Sequence, residues 1–256
     1  MPVLELVPPR EWPTLGWGVV DWIESRLCHG PGDVQGEAIE LDDEWVQVIL
    51  DLYRLYPDGH VRAGQRVVTY GLVSLPKGWA KSEVAGMLVC AEFAGPVRFD
   101  RWDPDAPGGC IGKRVVYPFI RCLATEETQT GETYLNVVVM LEHAMDRFPD
   151  EFPDIDVGAT RVHLGKGGRD GEIRPCSAGA ASKDGGKETF AVADEPHLYK
   201  LPELRSMHKT VRRNCRKRKS AQPWMLATTT MFEPGEQSAL QGTGCRRSRY
   251  DDDDTE

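Results

Sequence analysis

The chain has 256 residues, 40% hydrophobic and 28% charged, with 26 Gly and 18 Pro, enough for a real core in one large or two small domains. Its 31 Lys+Arg stand against 40 Asp+Glu, a formal net charge of −9, which excludes a uniformly basic nucleic-acid coat but not a local basic patch. Seven scattered cysteines, an odd number with no CxxC spacing, exclude a disulfide framework and point to a reducing compartment. No apolar run reaches the ~18–20 residues of a membrane span. The opening MPVLELVPPREWP has acid and proline where a secretory signal needs base and an apolar run.

Residues 1–36, rich in Pro, Gly and Trp, read as an irregular N-terminal arm with one short amphipathic piece around 17–27. Residues 41–56 (LDDEWVQVILDLYRLY) form the first helix. Asp42 or Asp43 caps it, and Trp45, Ile49, Leu52 and Tyr56 share one face. RVVTYGLVSL (66–75) is a buried strand stopped by Pro76, and a helix opens at Lys81 with KSEVAGMLVCAEFA. Residues 96–114 read as loop, 117–124 as a second buried strand and 132–147 as a helix. TRVHL and GEIRPC, joined by GKGGRD, form a hairpin. ETFAVA (188–193) is a third strand, placed beside the first, and it ends in Asp194-Glu195. A basic helix spans 201–219, and WMLATTT (224–230) is a fourth strand. From 241 the chain loses periodicity and is expected to be a disordered acidic tail. Buried strands alternating with helices predict an α/β fold with a mainly parallel central sheet flanked by helices. Ligands of such sheets sit at the carboxyl ends of the strands.

The stretch Leu75-Pro76-Lys77-Gly78-Trp79-Ala80-Lys81-Ser82 follows the phosphate-loop pattern G-x-x-x-x-G-K-[ST] in its Lys-Ser pair but not at its two glycines. The backbone N–H groups of 78–82 and the helix N-terminus can still face a β-phosphate. Lys81 would reach the β/γ-phosphates and the Ser82 hydroxyl would ligate Mg²⁺. Asp194 at a strand tip suits the Mg²⁺ shell, and Glu195 beside it suits a general base for water. Thr228 and Thr229 place hydroxyls at the tip of a later strand, where loss of a γ-phosphate can be sensed. No histidine spacing suits zinc, and no Gly-x-Ser-x-Gly elbow occurs.

Together GLVSLPKGWAKSE, CLATEETQTGETY, TFAVADEPHLY and MLATTTMFEPGEQS resemble, in order and spacing, the ATPase domain of a tailed-bacteriophage terminase large subunit, most closely those of actinobacterial phages. The resemblance implies a P-loop NTPase of the ASCE type over 37–240, using ATP and Mg²⁺. Lys81 and Ser82 then resemble the Walker A residues, with Lys77 a basic residue within the loop. Asp194 and Glu195 resemble the Walker B aspartate and catalytic glutamate, and Thr228 and Thr229 the coupling motif. For the adenine contact the aligned stretch offers Trp45 and, two residues on, Gln47. Gln129 matches a recurrent feature without a firm role. The implied function is ATP-driven packaging of double-stranded DNA into a procapsid by a ring of subunits. That ring works with a portal protein and a small terminase subunit in the host cytoplasm, away from any membrane. The family's C-terminal nuclease is not expected in this chain, because too few residues follow the fourth strand for a nuclease fold, and the Asp251–Asp254 run has no scaffold to hold metals. A degenerate or truncated ATPase fold serving only as an assembly module is the alternative.

RSMHKTVRRNCRKRK (205–219) carries eight Lys/Arg and no acid. Lys209, Arg212, Arg213, Arg216, Lys217, Arg218 and Lys219 are therefore candidates for DNA phosphates. Arg98, Arg101 and Arg121 are candidates for an arginine offered to a neighbouring subunit's nucleotide.

Overall fold

The computed structural model describes residues 10–125, 132–176 and 186–230. Two helices, α1 (Gly16–Arg26) and α2 (Asp43–Leu52), precede β1 (Tyr70–Ser74) and α3 (Lys81–Ala94). Then come β2 (Arg98–Trp102), β3 (Cys110–Lys113), β4 (Phe119–Leu123) and α4 (Glu132–Arg147). The strands β5 (Ile155–Gly158), β6 (Arg161–Leu164), β7 (Gly171–Cys176) and β8 (Phe190–Asp194) follow, and α5 (Pro202–Asn214) leads to β9 (Trp224–Thr229). Seven strands make one sheet in the order β1-β9-β8-β4-β7-β6-β5, and β2 pairs with β3 apart from it. Every pair from β1 to β7 is parallel. β6 and β5 add an antiparallel edge. The expected α/β architecture with a mainly parallel sheet is present.

Local chemistry explains the elements. Asp42 caps α2 by accepting from Trp45 N at 2.8 Å, as an Asx N-cap should. α3 is buried all round from Val84 to Ala94, with Glu92 its one charged residue in that stretch, so it serves as the sheet's central cover. It lies with α1, α2 and α4 in one apolar core against Ile120, Val192 and Leu226. A Cβ at Gly86 of α3 would lie 2.8 Å from Asn136 Cβ, so the glycine lets α4 approach closely. On the other sheet face α5 sets Leu204, Met207 and Val211 on Ala191, Ala193 and Met225.

Several elements differ from the sequence reading. The strand carrying Asp194 does not lie beside β1, because β9 stands between them. Every residue of β9 is buried, whereas β1 is mostly half-exposed, so β9 takes the central place and β1 the edge. Residues 96–114, expected as loop, contain the β2–β3 ribbon, with Phe99 and Trp102 in ring contact at 4.5 Å. β5 extends the expected hairpin by a third strand. The first long helix ends at Leu52 rather than Tyr56, since Arg54 and Leu55 enter β-bridges with Thr14 and Arg66. The short amphipathic piece expected around 17–27 is α1, but it is no loose arm, since its Val19 and Ile23 are fully buried in the main core. The basic helix ends at Asn214, so Arg216 to Lys219 lie beyond it.

On the inner face of α5, His208 is 2% exposed. Burial, aided by Arg212 and Lys209, pushes its imidazole down from 6.5 to about 4. The unfolded chain then binds a proton that the folded chain refuses, so stability falls as pH drops from 6.5 to about 4. The loss is on the order of 3 kcal/mol. Denaturation midpoints across that window should show a steeper acid decline in the wild type than in His208→Leu; parallel curves would refute it.

Candidate nucleotide site

β1 ends at Ser74, and the chain turns through residues 75–80 into α3. Leu75 N donates to Thr229 O at 3.0 Å. Gly78 has φ 88° and Ala80 φ 48°. The left-handed turn at a residue with a Cβ costs about 1 kcal/mol, so Ala80 achieves what the pattern's glycine would. Ala80 offers no side-chain cap to α3, which leaves the first-turn amides for an anion. Lys81 is 7% exposed, and its Nζ donates to Pro76 O at 2.7 Å, folding the ammonium back over the loop. Lys77, Gly78 and Trp79 are exposed and Ser82 is half-buried.

Asp194 ends β8 opposite Thr228, and Thr229 pairs with Ser74. Two strand spacings, roughly 10 Å, therefore separate the loop's strand from the acids. Asp194 Oδ1 accepts from Thr228 Oγ1 at 2.8 Å, and Oδ2 accepts from Thr133 Oγ1 at 3.1 Å. Thr133, buried in the first turn of α4, was missed in the sequence. Glu195 adopts a left-handed backbone, φ 48° and ψ 51°. Its N–H donates to Thr228 O at 2.8 Å, and its Oε2 accepts from Thr230 N at 3.0 Å. His197 Nδ1 lies 2.9 Å from Glu195 Oε2 and 2.7 Å from Thr229 Oγ1. Thr228 and Thr229 are both buried, one bonded to Asp194 and the other to His197.

A cleft of about 240 Å³ opens beside the loop between Gly78, Trp79 and Ala80 and the segment Ile39–Asp42, with Trp45 on its wall. Gln47 is not brought to the loop. Its Nε2 donates to Asp51 Oδ1 at 3.0 Å, and it lines a separate cavity of about 490 Å³ with Trp17, Leu50 and Arg54. Gln129 and the Asp251–Asp254 run lie outside the described residues. Among the described residues no three His, Cys, Asp or Glu side chains cluster around a potential metal position. A Mg²⁺ that shares phosphate oxygens and water asks for only one or two protein oxygens, and the Ser82 hydroxyl and Asp194 carboxylate are donors of that type.

Of the basic candidates, Lys209, Arg213, Arg216, Lys217 and Lys219 are exposed. Lys209 and Arg213 are four residues apart on α5, opposite the face that carries Leu204, Met207 and Val211. Arg212 lies over the Tyr70 ring at 4.3 Å, and Arg218 donates to Tyr117 O at 2.6 Å. Arg98 is buried against Glu92, and Arg121 pairs with Glu172 and Glu188. Arg101 alone of the three candidate arginines has a mostly exposed side chain, beside Asp100.

No family model matches the sequence. The chain is 29% identical over 205 residues to the Gene 13 protein of Mycobacterium phage L5 and 28% identical over 205 residues to that of Mycobacterium phage D29. In each case the match takes in 73% of this chain and 32% of the relative, so the chain spans about a third of the curated relatives' length. The fold matches the crystal structure of the HK97 bacteriophage large terminase with a TM-score of 0.58 at 14% identity, covering 89% of this chain and 40% of that one. The chain thus resembles Gene 13 proteins of actinobacterial phages in sequence and a phage large terminase in fold, as its motif series led us to expect.

Proposed function

We propose that this chain is the ATP-hydrolysing motor portion of a phage terminase large subunit, which drives double-stranded DNA into a procapsid. The supporting observation is the placement of Asp194 and Glu195 at the tip of β8, across the hydroxyl-bearing end of β9 from the loop that leads to Lys81. In this reading the sheet is that of a P-loop ATPase. Amides 78–82 take the phosphates, and Lys81 exchanges Pro76 O for β/γ oxygens. Ser82 and Asp194 hold Mg²⁺, which neutralises phosphate charge when bound. Glu195 accepts the proton of the attacking water. The cleft beside Trp79, rather than Gln47, is the neighbouring space for the nucleoside.

The basic residues around α5 follow Glu195 in the chain and suit DNA phosphates, with a portal, a small terminase subunit and a ring of copies as further partners. DNA affinity should fall with salt, with a log–log slope of about −0.9 per phosphate contacted. Phosphate release with and without linear duplex DNA tests the whole reading. Lys81→Ala is expected to lower turnover by about 10²–10³-fold. Undiminished turnover would refute the phosphate loop. Nucleotide binding without turnover, even with DNA, would make the chain a non-catalytic assembly module.

A further inference from the structure

His197 occupies a position that the motifs do not use. It follows Glu195 in the short turn Pro196–Leu198, and only 16% of its side chain is exposed. Its Nδ1 faces two oxygens, Thr229 Oγ1 at 2.7 Å and Glu195 Oε2 at 2.9 Å. Thr229 Oγ1 already donates its single proton to Thr230 O at 3.0 Å, so toward the imidazole that hydroxyl can only accept. A carboxylate oxygen also only accepts. Both contacts therefore require the proton on Nδ1, shared between the two oxygens. The Thr230 N–H adds a second donor to the same Oε2 at 3.0 Å. Oε2 is thus held from two sides, while Glu195 Oε1 makes no hydrogen bond to any described residue.

We propose that His197 is a positioning residue: its Nδ1–H bridges Thr229 Oγ1 and Glu195 Oε2, which fixes the carboxylate with Oε1 as the oxygen presented to water and ties it to the end of β9. The inference rests on the Mg·ATP reading above. Three features support it. The left-handed backbone at Glu195 is a strained conformation that surrounding contacts must maintain. The bridge joins residues 32 apart in sequence, so it couples two strand ends. Displacement of a reacting group by about 1 Å can cost about 10²-fold in rate, so a clamp of this kind has a measurable effect.

The test compares His197→Ala with His197→Asn, whose side-chain amide can donate from near the Nδ1 position. In the full chain with duplex DNA, His197→Ala should lower kcat by about 10²-fold, with the Kd for Mg·ATP and the melting temperature within error of wild type. His197→Asn should recover at least tenfold of that loss. Equal rates for the two variants, or a wild-type kcat in His197→Ala, would overturn the clamp. Loss of turnover in Glu195→Gln alongside intact turnover in His197→Ala would defeat only the clamp. Intact turnover in both would defeat the ATPase reading as well. A second measurement needs no turnover: the long-range ¹H–¹⁵N spectrum of histidine-labelled protein should show His197 protonated at Nδ1. Its pattern should change when both acceptors are removed, in Thr229→Val combined with Glu195→Ala. A neutral Nε2–H tautomer would overturn the proposal whatever the activity.

Discussion

Glu195→Gln is expected to leave Mg·ATP binding intact and to lower turnover by about 10²–10⁴-fold, the usual range for a general base. Glutamine preserves the shape of the site. Its carbonyl oxygen can take the place of Oε2, accepting from Thr230 N and His197 Nδ1, while its amide nitrogen has no lone pair for the proton of water. Single-turnover phosphate release alongside nucleotide titration separates the two effects. Wild-type turnover would remove Glu195 from the chemistry. Asp194 should respond differently, because both its oxygens are already met by hydroxyls, from Thr228 at 2.8 Å and Thr133 at 3.1 Å. Asp194→Asn would set an amide NH₂ against one of those donors and remove the charge that the proposed Mg²⁺ site would use. It should raise the Mg²⁺ concentration for half-maximal turnover without removing the base. Thr133→Val deletes only the outer hydroxyl and should weaken Mg²⁺ affinity by about 10–100-fold, the usual effect of a residue that orients a ligand. A Thr133→Val chain with an unchanged Mg²⁺ titration would mean that its bond to Asp194 is incidental.

The parts of the site that were legible in the sequence are those that short-range chemistry fixes. A Lys-Ser pair opening a helix, a cap at Asp42 or Asp43 and the 3.6-residue period of 132–147 are each decided within a few residues, and the structure starts α3 at Lys81, caps α2 with Asp42 and bounds α4 at Glu132–Arg147. What was missed depends on partners far along the chain. Thr133 meets Asp194 across 61 residues and His197 meets Thr229 across 32, and no periodicity marks either. The placing of β9 between β1 and β8 is likewise a long-range choice, made by which strand can be buried on both faces. The strand Arg98–Trp102 has no regular alternation, its register shifting between Phe99 and Arg101, and Pro, Gly and Asp surround it. Gln47 shows the limit of reading a helix by proximity. It is two residues from Trp45, but two residues are about 200° around a helix. Trp45 therefore faces the loop's cleft while Gln47 faces another cavity.

Glu92→Leu is expected to destabilise the fold by about 3–5 kcal/mol, the cost of leaving buried charges without a partner. Glu92 sits in α3 with no exposed surface. Its Oε1 accepts from Trp224 Nε1 at 2.8 Å and Tyr53 OH at 2.9 Å, and Arg98 Nη1 lies 2.8 Å from its Oε2. Arg66 lies 3.5 Å away and places its guanidinium 4.4 Å from the centroids of both Tyr53 and Trp224. Burial lowers the Arg66 guanidinium to about 10, and the Glu92 carboxylate is the largest influence opposing that fall. Arg98 Nε also donates to Ala221 O at 2.7 Å, and the Arg66 backbone N–H to Gln222 Oε1 at 2.6 Å, so the same two residues hold the turn before β9. Without Glu92 two guanidiniums remain inside the protein with nothing to neutralise them. At about 2–4 °C per kcal/mol for a chain of this size, the melting temperature should fall by roughly 10 °C. Replacing Glu92, Arg66 and Arg98 together by apolar residues should cost less than the single change, because no charge is then stranded. A single variant no less stable than the triple would mean that the network carries no such cost. The node joins α3, whose first residue is Lys81, to β9, whose last residues are Thr228 and Thr229. It therefore anchors the distal ends of the two elements whose near ends form the candidate site, and the damage should appear in stability while the Kd for Mg·ATP of the folded fraction stays unchanged.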